Sequence, residues 1–175
     1  IAPALARLLP DQASLFEANL ATLRSRLAAL HDYGARVMAS IPPRQRLLVT
    51  AHDAFGYFAA RYGLEVDSIQ GLSTESEANL ARIEALVRAL VDRRIPAVFS
   101  ESSVPDRAVR ALIEGAGARG LRVALGGTLF SDSMGKPGSY EGTYHGMLDH
   151  NCTTIARALG GDAPARGMLG RLTPS

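Results

Sequence analysis

Apolar side chains recur at helical spacing through the first part of the chain. Between residues 10 and 40 they fall near a period of 3.6, at Leu15, Leu20, Leu23, Leu27, Leu30 and Val37. Ile41, Pro42 and Pro43 end this pattern, because proline disfavours the continuation of a helix. The pattern predicts one helix of about thirty residues, which is long for a globular protein. Such a helix suits either a connector between lobes or a long packed element.

From residue 41 onward, short apolar runs alternate with amphipathic segments. The runs predict strands at residues 46–50, 65–70, 95–100 and 121–125. The amphipathic segments predict helices at residues 54–62, at 74–94 with Thr74 and Glu77 as a capping box, at 105–114 and at 140–159. This alternation predicts an α/β fold, with a four-stranded parallel sheet, helices on both faces and the long helix in front.

The same pattern divides the chain into three regions. We expect residues 1–40 to form a connecting helix and residues 41–160 to form the α/β lobe. Residues 161–175 are rich in glycine, proline and alanine, and we expect them to be a flexible tail. The glycine-rich stretch 126–138 is predicted to be a loop between the last strand and the last helix.

Composition narrows the class of protein. The 175 residues are 47% hydrophobic and 21% charged, as in an ordinary globular domain. The net charge is only +2 and the charges are interspersed, which argues against a nucleic-acid partner. No run of about 18 apolar residues occurs, so no membrane span is predicted. Cys152 is the sole cysteine, which excludes an intramolecular disulfide.

Polar residues that could bind a metal or transfer a proton follow three of the predicted strands. His52, Glu101 and Asp132 each come shortly after a strand, and parallel strands bring their carboxyl ends to one edge of the sheet. Imidazole and carboxylate groups together favour a zinc or manganese site. The same groups also suit acid–base catalysis. A third interpretation is purely structural, with Asp132 in a turn and His52 in a local hydrogen bond.

Other candidate residues carry weaker signals. His145 and His150 lie five positions apart on the last predicted helix, which does not place two histidines on one face for a metal. Ser102 and Ser103 lack the GxSxG pattern of a nucleophile elbow. Cys152 lies in the middle of a helix, where a small buried apolar role is the default.

Five segments resemble, in order, those of the metal-binding substrate-binding proteins of ABC transporters, the TroA-like zinc and manganese receptors. The segments run from Thr50 to Phe58, Gln70 to Ala78, Ile95 to Ser103, Leu129 to Gly135, and Gly142 to Asn151. The matches run in register from about Ile41 to Leu159. The resemblance implies two α/β lobes joined by a long helix, with the metal in the cleft between them.

The resemblance also assigns the site. It implies that His52 and Asp132 are the two metal ligands of the C-terminal lobe, and that Glu101 has an outer or structural role. Two histidines of an N-terminal lobe complete the family's set, and no segment here corresponds to them. We therefore expect this chain to be the C-terminal lobe, to bind zinc or manganese weakly by itself, and to need the missing lobe for tight binding.

The function implied by the resemblance is transport. Such a receptor binds a divalent metal ion and delivers it to the permease subunit of an ABC importer, and it is not an enzyme. Its location is periplasmic or otherwise extracytoplasmic, including membrane-anchored lipoproteins. The alternative from a different class is a small α/β hydrolase or phosphatase-like, metal-dependent enzyme that uses His52 and Asp132.

Overall fold

Helices and strands alternate in the computed structural model, which describes residues 1–71 and 80–173. The helices are α1 (Ala2–Leu8), α2 (Ala13–Ala39), α3 (Gly56–Tyr62), α4 (Leu80–Arg93), α5 (Arg107–Ala118) and α6 (Tyr144–Ala158). The strands are β1 (Leu47–Thr50), β2 (Glu65–Ser68), β3 (Ala97–Glu101) and β4 (Ala124–Leu129). The predicted capping box at Thr74 and Glu77 lies outside the described residues.

The strands pair in parallel, which confirms the predicted α/β class. They are divided between two ladders rather than joined in one. In the first ladder, Leu47 of β1 lies opposite Glu65 of β2. In the second, Ala97 of β3 lies opposite Ala124 of β4. β1 packs beside β3, so the carboxyl ends of both ladders come together.

Helices cover the strands in two packed pairs, α2 with α6 and α4 with α5. One continuous apolar cluster fills the interior, and its largest fully buried members include Leu48, Leu90, Phe99, Leu112 and Ile155. Burying one side chain of this size contributes about 1.5–3 kcal/mol to folding. The strand ends that carry polar residues therefore stand on a rigid base.

The long helix predicted for residues 10–40 is confirmed as α2, after a short 3₁₀ turn at Pro10–Gln12. Its 27 residues span about 40 Å. Buried side chains occur only in its second half, from Leu30 to Met38, whereas Leu15 and Leu23 are about half exposed. Neither α2 nor any other described helix is long and apolar enough to cross a membrane.

The fourth strand differs from its prediction. The apolar run 121–125 predicted a strand that ends before Gly126, but β4 runs from Ala124 to Leu129 and includes Gly126 and Gly127. A Cβ on Gly126 would lie 2.8 Å from both the Ala158 methyl group and the Phe99 ring. Gly127 has a φ of +136° at the point where the ladder register shifts. These glycines therefore mark close packing and a bulge, and not the start of a loop.

The tail also differs from the expected flexible segment, since its described part folds back against α6. Ala163 and Leu172 are buried. The backbone N–H of Met168 donates to both carboxylate oxygens of Asp149, at 2.9 and 3.1 Å. Asp149 is itself fully buried and accepts from the Tyr140 hydroxyl at 2.9 Å. A buried carboxylate needs such donors, and the tail backbone supplies one of them.

Cys152 of α6 lies against Gly34 of α2. A Cβ on Gly34 of α2 would lie 3.2 Å from the Cys152 sulfur, so glycine permits this contact. Burial, and after it the charge of Asp149, raises the pKa of the Cys152 thiol to about 12. The role of a small buried apolar residue predicted for Cys152 agrees with this position.

We expect Cys152 to resist thiol reagents in the folded chain. Both its burial and its high pKa leave almost no reactive thiolate near pH 8. Labelling with a disulfide-exchange reagent should be complete in guanidinium chloride and very slow in its absence. Rapid labelling of the folded chain would contradict this packing of α6 against α2.

Replacing Gly126 by alanine tests the corrected position of β4. The added methyl group would collide with Phe99 and Ala158, and such overpacking costs about 1–3 kcal/mol in the free energy of unfolding. Gly117→Ala is the matched control, because Gly117 lies in α5 and a Cβ there would meet nothing within 4 Å. Alanine there should stabilise by about 0.5–1 kcal/mol. Urea unfolding of both variants measures this, and equal stabilities would argue for a loop at Gly126.

Candidate metal site at the carboxyl ends of the strands

His52 follows β1 and is held in place by its own backbone. Its carbonyl oxygen accepts hydrogen bonds from the Thr50 hydroxyl at 2.9 Å and from the Ala54 N–H at 3.0 Å. Its N–H donates to Glu101 Oε1 at 2.9 Å. The residue is only 3% exposed. The backbone of His52 is therefore fixed in the interior, and one edge of its imidazole ring reaches the surface.

Glu101, the last residue of β3, lies behind the ring of His52. Its Oε2 atom is 2.8 Å from His52 Nδ1, and its side chain is fully buried. Within the described part of the chain, neither atom has a hydrogen-bond partner apart from this contact. A carboxylate beside Nδ1 favours a proton on that nitrogen, so we assign the lone pair of the neutral ring to Nε2.

Asp132 lies in front of the ring, in the loop after β4. Its Oδ2 atom is 3.3 Å from His52 Nε2, and 60% of its side chain is exposed. The open side of this pair faces a cavity of about 660 Å³. Asp53, Tyr57 and Ala60 line the cavity with the pair, and Tyr57 is almost fully exposed.

The structure thus brings together the three residues that the strand-end argument selected. Glu101 is behind the imidazole and Asp132 in front of it, so one histidine separates a buried carboxylate from an exposed one. An imidazole nitrogen and a carboxylate oxygen that share one open face can bind a divalent transition metal or exchange a proton. Within residues 1–71 and 80–173, no group of three or more histidine, cysteine or acidic residues could hold a metal.

The two histidines of α6 make local contacts instead. His145 Nδ1 is 3.1 Å from the Tyr140 hydroxyl. His150 Nε2 donates to the carbonyl oxygen of Thr128 at 2.9 Å. That their spacing does not form a two-histidine metal face stays a prediction.

Sequence reasoning included Asn151 in the last resembling segment but gave it no role. Asn151 contacts the loop that carries Asp132. The Asn151 amide accepts from the Phe130 N–H at 3.0 Å and donates to the Phe130 carbonyl at 2.7 Å. Asn151 is only 2% exposed. A buried amide on a helix is a usable signal only when the buried face of that helix is known.

Comparisons with known proteins find matches to one family and to several metal-binding proteins. Residues 1–158 match the family model of ZnuA, the periplasmic component A of the zinc-uptake complex. The chain is 44% identical over 151 residues to the manganese-binding lipoprotein MntA of Bacillus subtilis, covering 86% of this chain and 49% of that protein. It is 46% identical over 155 residues to the zinc-binding protein TroA of Treponema pallidum, covering 89% of this chain and 50% of that protein.

Solved structures agree with the sequence matches. The structure of periplasmic zinc-binding TroA from Treponema pallidum superimposes with a TM-score of 0.85 at 45% identity, covering 90% of this chain and 57% of that one. Fe(III)-bound YtgA from Chlamydia trachomatis superimposes with a TM-score of 0.82 at 27% identity, covering 92% and 58%. The chain therefore spans about half the length of the curated relatives that it matches.

Substitution of Glu101 tests whether its carboxylate holds this edge together. Glu101→Ala leaves the buried N–H and Nδ1 of His52 without a partner, which should lower the free energy of unfolding by about 1–3 kcal/mol. Glu101→Gln keeps an acceptor for the N–H and should cost less. Glu114→Ala, on the exposed side of α5, is the control and should stay within about 0.5 kcal/mol of wild type. Equal urea midpoints for Glu101→Ala and Glu114→Ala would contradict this role.

Proposed function

We propose a function from one premise: this chain belongs to the family of zinc-uptake complex component A, the periplasmic ZnuA proteins. The proposal is that the chain is the metal-binding C-terminal lobe of an ABC-importer receptor, with His52 and Asp132 as its two ligands. The observation that carries it is the pair of donor atoms, His52 Nε2 and Asp132 Oδ2, which lie 3.3 Å apart at the open cavity.

The spacing of these two atoms supports a shared metal ion. Zinc binds histidine nitrogen and carboxylate oxygen at about 2.0–2.2 Å in a tetrahedron, which separates two ligand atoms by about 3.4 Å. The observed separation of 3.3 Å needs almost no adjustment. The Glu101 carboxylate behind Nδ1 orients the ring, as outer carboxylates do for metal-binding histidines.

Two ligands do not complete a site, because zinc sites in proteins usually take four. We infer that the remaining half of the protein supplies two further ligands, which the resemblance identifies as histidines. The exposed leucines of α1 and of the first half of α2, among them Leu8, Leu15 and Leu23, support a second lobe against this end of the molecule.

In this proposal the metal is cargo and the receptor is not an enzyme. It holds the ion between lobes outside the cytoplasm, as a periplasmic protein or a membrane-anchored lipoprotein, and passes it to a permease subunit. The proposed cargo is zinc or manganese, and a set rich in histidine favours zinc by ligand softness. The hydrolase alternative, if it used a hydroxyl nucleophile, would need one beside His52. Among the described residues, the hydroxyls of Ser102 and Ser133 instead contact each other, at 3.0 Å.

Calorimetry with zinc and manganese on the full-length protein tests the ligand assignment. His52→Ala and Asp132→Ala should each raise the dissociation constant by more than about 100-fold, beyond the usual effect of an outer residue. Asp53→Ala is the matched control, because Asp53 lines the same cavity but is not one of the two paired donors. We expect it to leave the affinity within about twofold of wild type, since only long-range charge is lost.

The same titration on these 175 residues alone should show weak binding, because half of the ligands are missing. Tight binding by this chain that survives His52→Ala would contradict the assignment. Equal losses in Asp53→Ala and Asp132→Ala would mean that the cavity attracts cations by charge alone.

A further inference from the structure

Asp132 lies on an exposed loop, yet its carboxylate is close to a buried histidine. Its side chain is 60% exposed, and its Oδ2 atom is 3.3 Å from His52 Nε2. An exposed loop residue has many conformations available, and a metal that had to select one of them would bind more weakly. A feature of the fold that held this loop before the metal arrives would remove that cost.

The structure provides that feature at Phe130, two residues before Asp132. Asn151 of α6 accepts from the Phe130 N–H at 3.0 Å and donates to the Phe130 carbonyl at 2.7 Å. Both backbone groups of one residue are thus bound by one planar amide. Because the amide is buried, water does not compete for these two bonds.

Two neighbouring contacts extend the attachment. His150, next to Asn151, donates to the Thr128 carbonyl at 2.9 Å and packs its ring against that of Phe130 with centroids 4.8 Å apart. On the other side of Asp132, the hydroxyls of Ser133 and Ser102 lie 3.0 Å apart. Asp132 is therefore placed between an attachment to α6 and an attachment to the end of β3.

The helix that carries Asn151 is itself immobilised in the core. Cys152, Ile155, Ala156 and Leu159 are all at most 1% exposed. The amide therefore transmits the position of the core to the loop. A leucine or alanine at position 151 would lack both the acceptor and the donor, and would leave the Phe130 backbone free to move.

We propose that Asn151 is a positioning residue for metal binding, which acts by holding the Phe130 backbone so that the Asp132 carboxylate faces His52. This inference rests on the proposed function, because it needs Asp132 to be a ligand. It adds a residue outside the ligand set whose effect on affinity passes through Asp132.

A double-mutant cycle on the full-length protein, with zinc calorimetry as the readout, tests the proposal. Asn151→Ala should raise the dissociation constant by roughly 10- to 100-fold, the usual effect of an outer residue. In the Asp132→Ala background, Asn151→Ala should cause no further loss, because the residue through which it acts is gone. Equal losses in the two backgrounds, or no loss in wild type, would overturn the positioning role.

Further variants separate positioning from general destabilisation. Cys152→Ala truncates the adjacent buried residue of α6 and should lower the thermal midpoint without changing zinc affinity. Asn151→Asp keeps an acceptor for the Phe130 N–H, loses the donor, and should also weaken zinc binding. If Cys152→Ala weakened binding as much as Asn151→Ala, the effect would be one of stability and the proposal would fail.

Cobalt substitution adds a readout that stability does not move. The visible spectrum of Co²⁺ reports its ligand set, so Asn151→Ala should shift the spectrum toward that of Asp132→Ala. A wild-type spectrum in Asn151→Ala would overturn the inference. The proposed function fails differently: unchanged zinc affinity in both Asp132→Ala and His52→Ala would remove the site itself.

Discussion

The buried carboxylate of Glu101 is the contact on which the candidate site depends. Glu101 is the last residue of β3, in one ladder. Its carboxylate accepts a hydrogen bond from the N–H of His52, which follows β1 in the other ladder. Its second oxygen lies against the Nδ1 of the same residue. One side chain thus joins the two ladders at their carboxyl ends and orients the imidazole. A buried carboxylate is costly without partners, and His52 supplies both of them, its N–H and its Nδ1. Glu101 in turn gives both of these His52 atoms a partner.

The sequence predicted the part of the site that follows from general rules of parallel sheets. Strand ends converge, so His52, Glu101 and Asp132 could be grouped although they are distant in the chain. Period and proline positions predicted the long helix α2. The pattern did not predict that the strands would divide into two ladders. The apolar runs of β1 and β3 look alike whether the two strands share backbone hydrogen bonds or only pack beside each other.

Three features that the sequence did not predict correctly, or gave no role, all depend on tertiary contacts. Gly126 looks like a loop residue until Phe99 and Ala158 are packed against it. The composition of the tail suggests flexibility, but its backbone donates a hydrogen bond to the buried Asp149. Asn151 looks like an ordinary polar residue of a helix until its amide meets Phe130. In each case a local preference was overridden by a partner more than fifteen residues away in sequence.

The two donor atoms of the site differ in how they are held, and this difference bears on how a receptor can both bind and release. The His52 ring is enclosed by the core and by Glu101, so protein contacts alone fix its orientation. Asp132 stands in solvent on a loop that is attached at two points. In the proposed function, one rigid donor and one tethered, exposed donor would preorganise the site for binding. Water would reach the exposed carboxylate once a second lobe moved away, which would allow the ion to leave. Division of four ligands between two lobes would make the affinity depend on their approach.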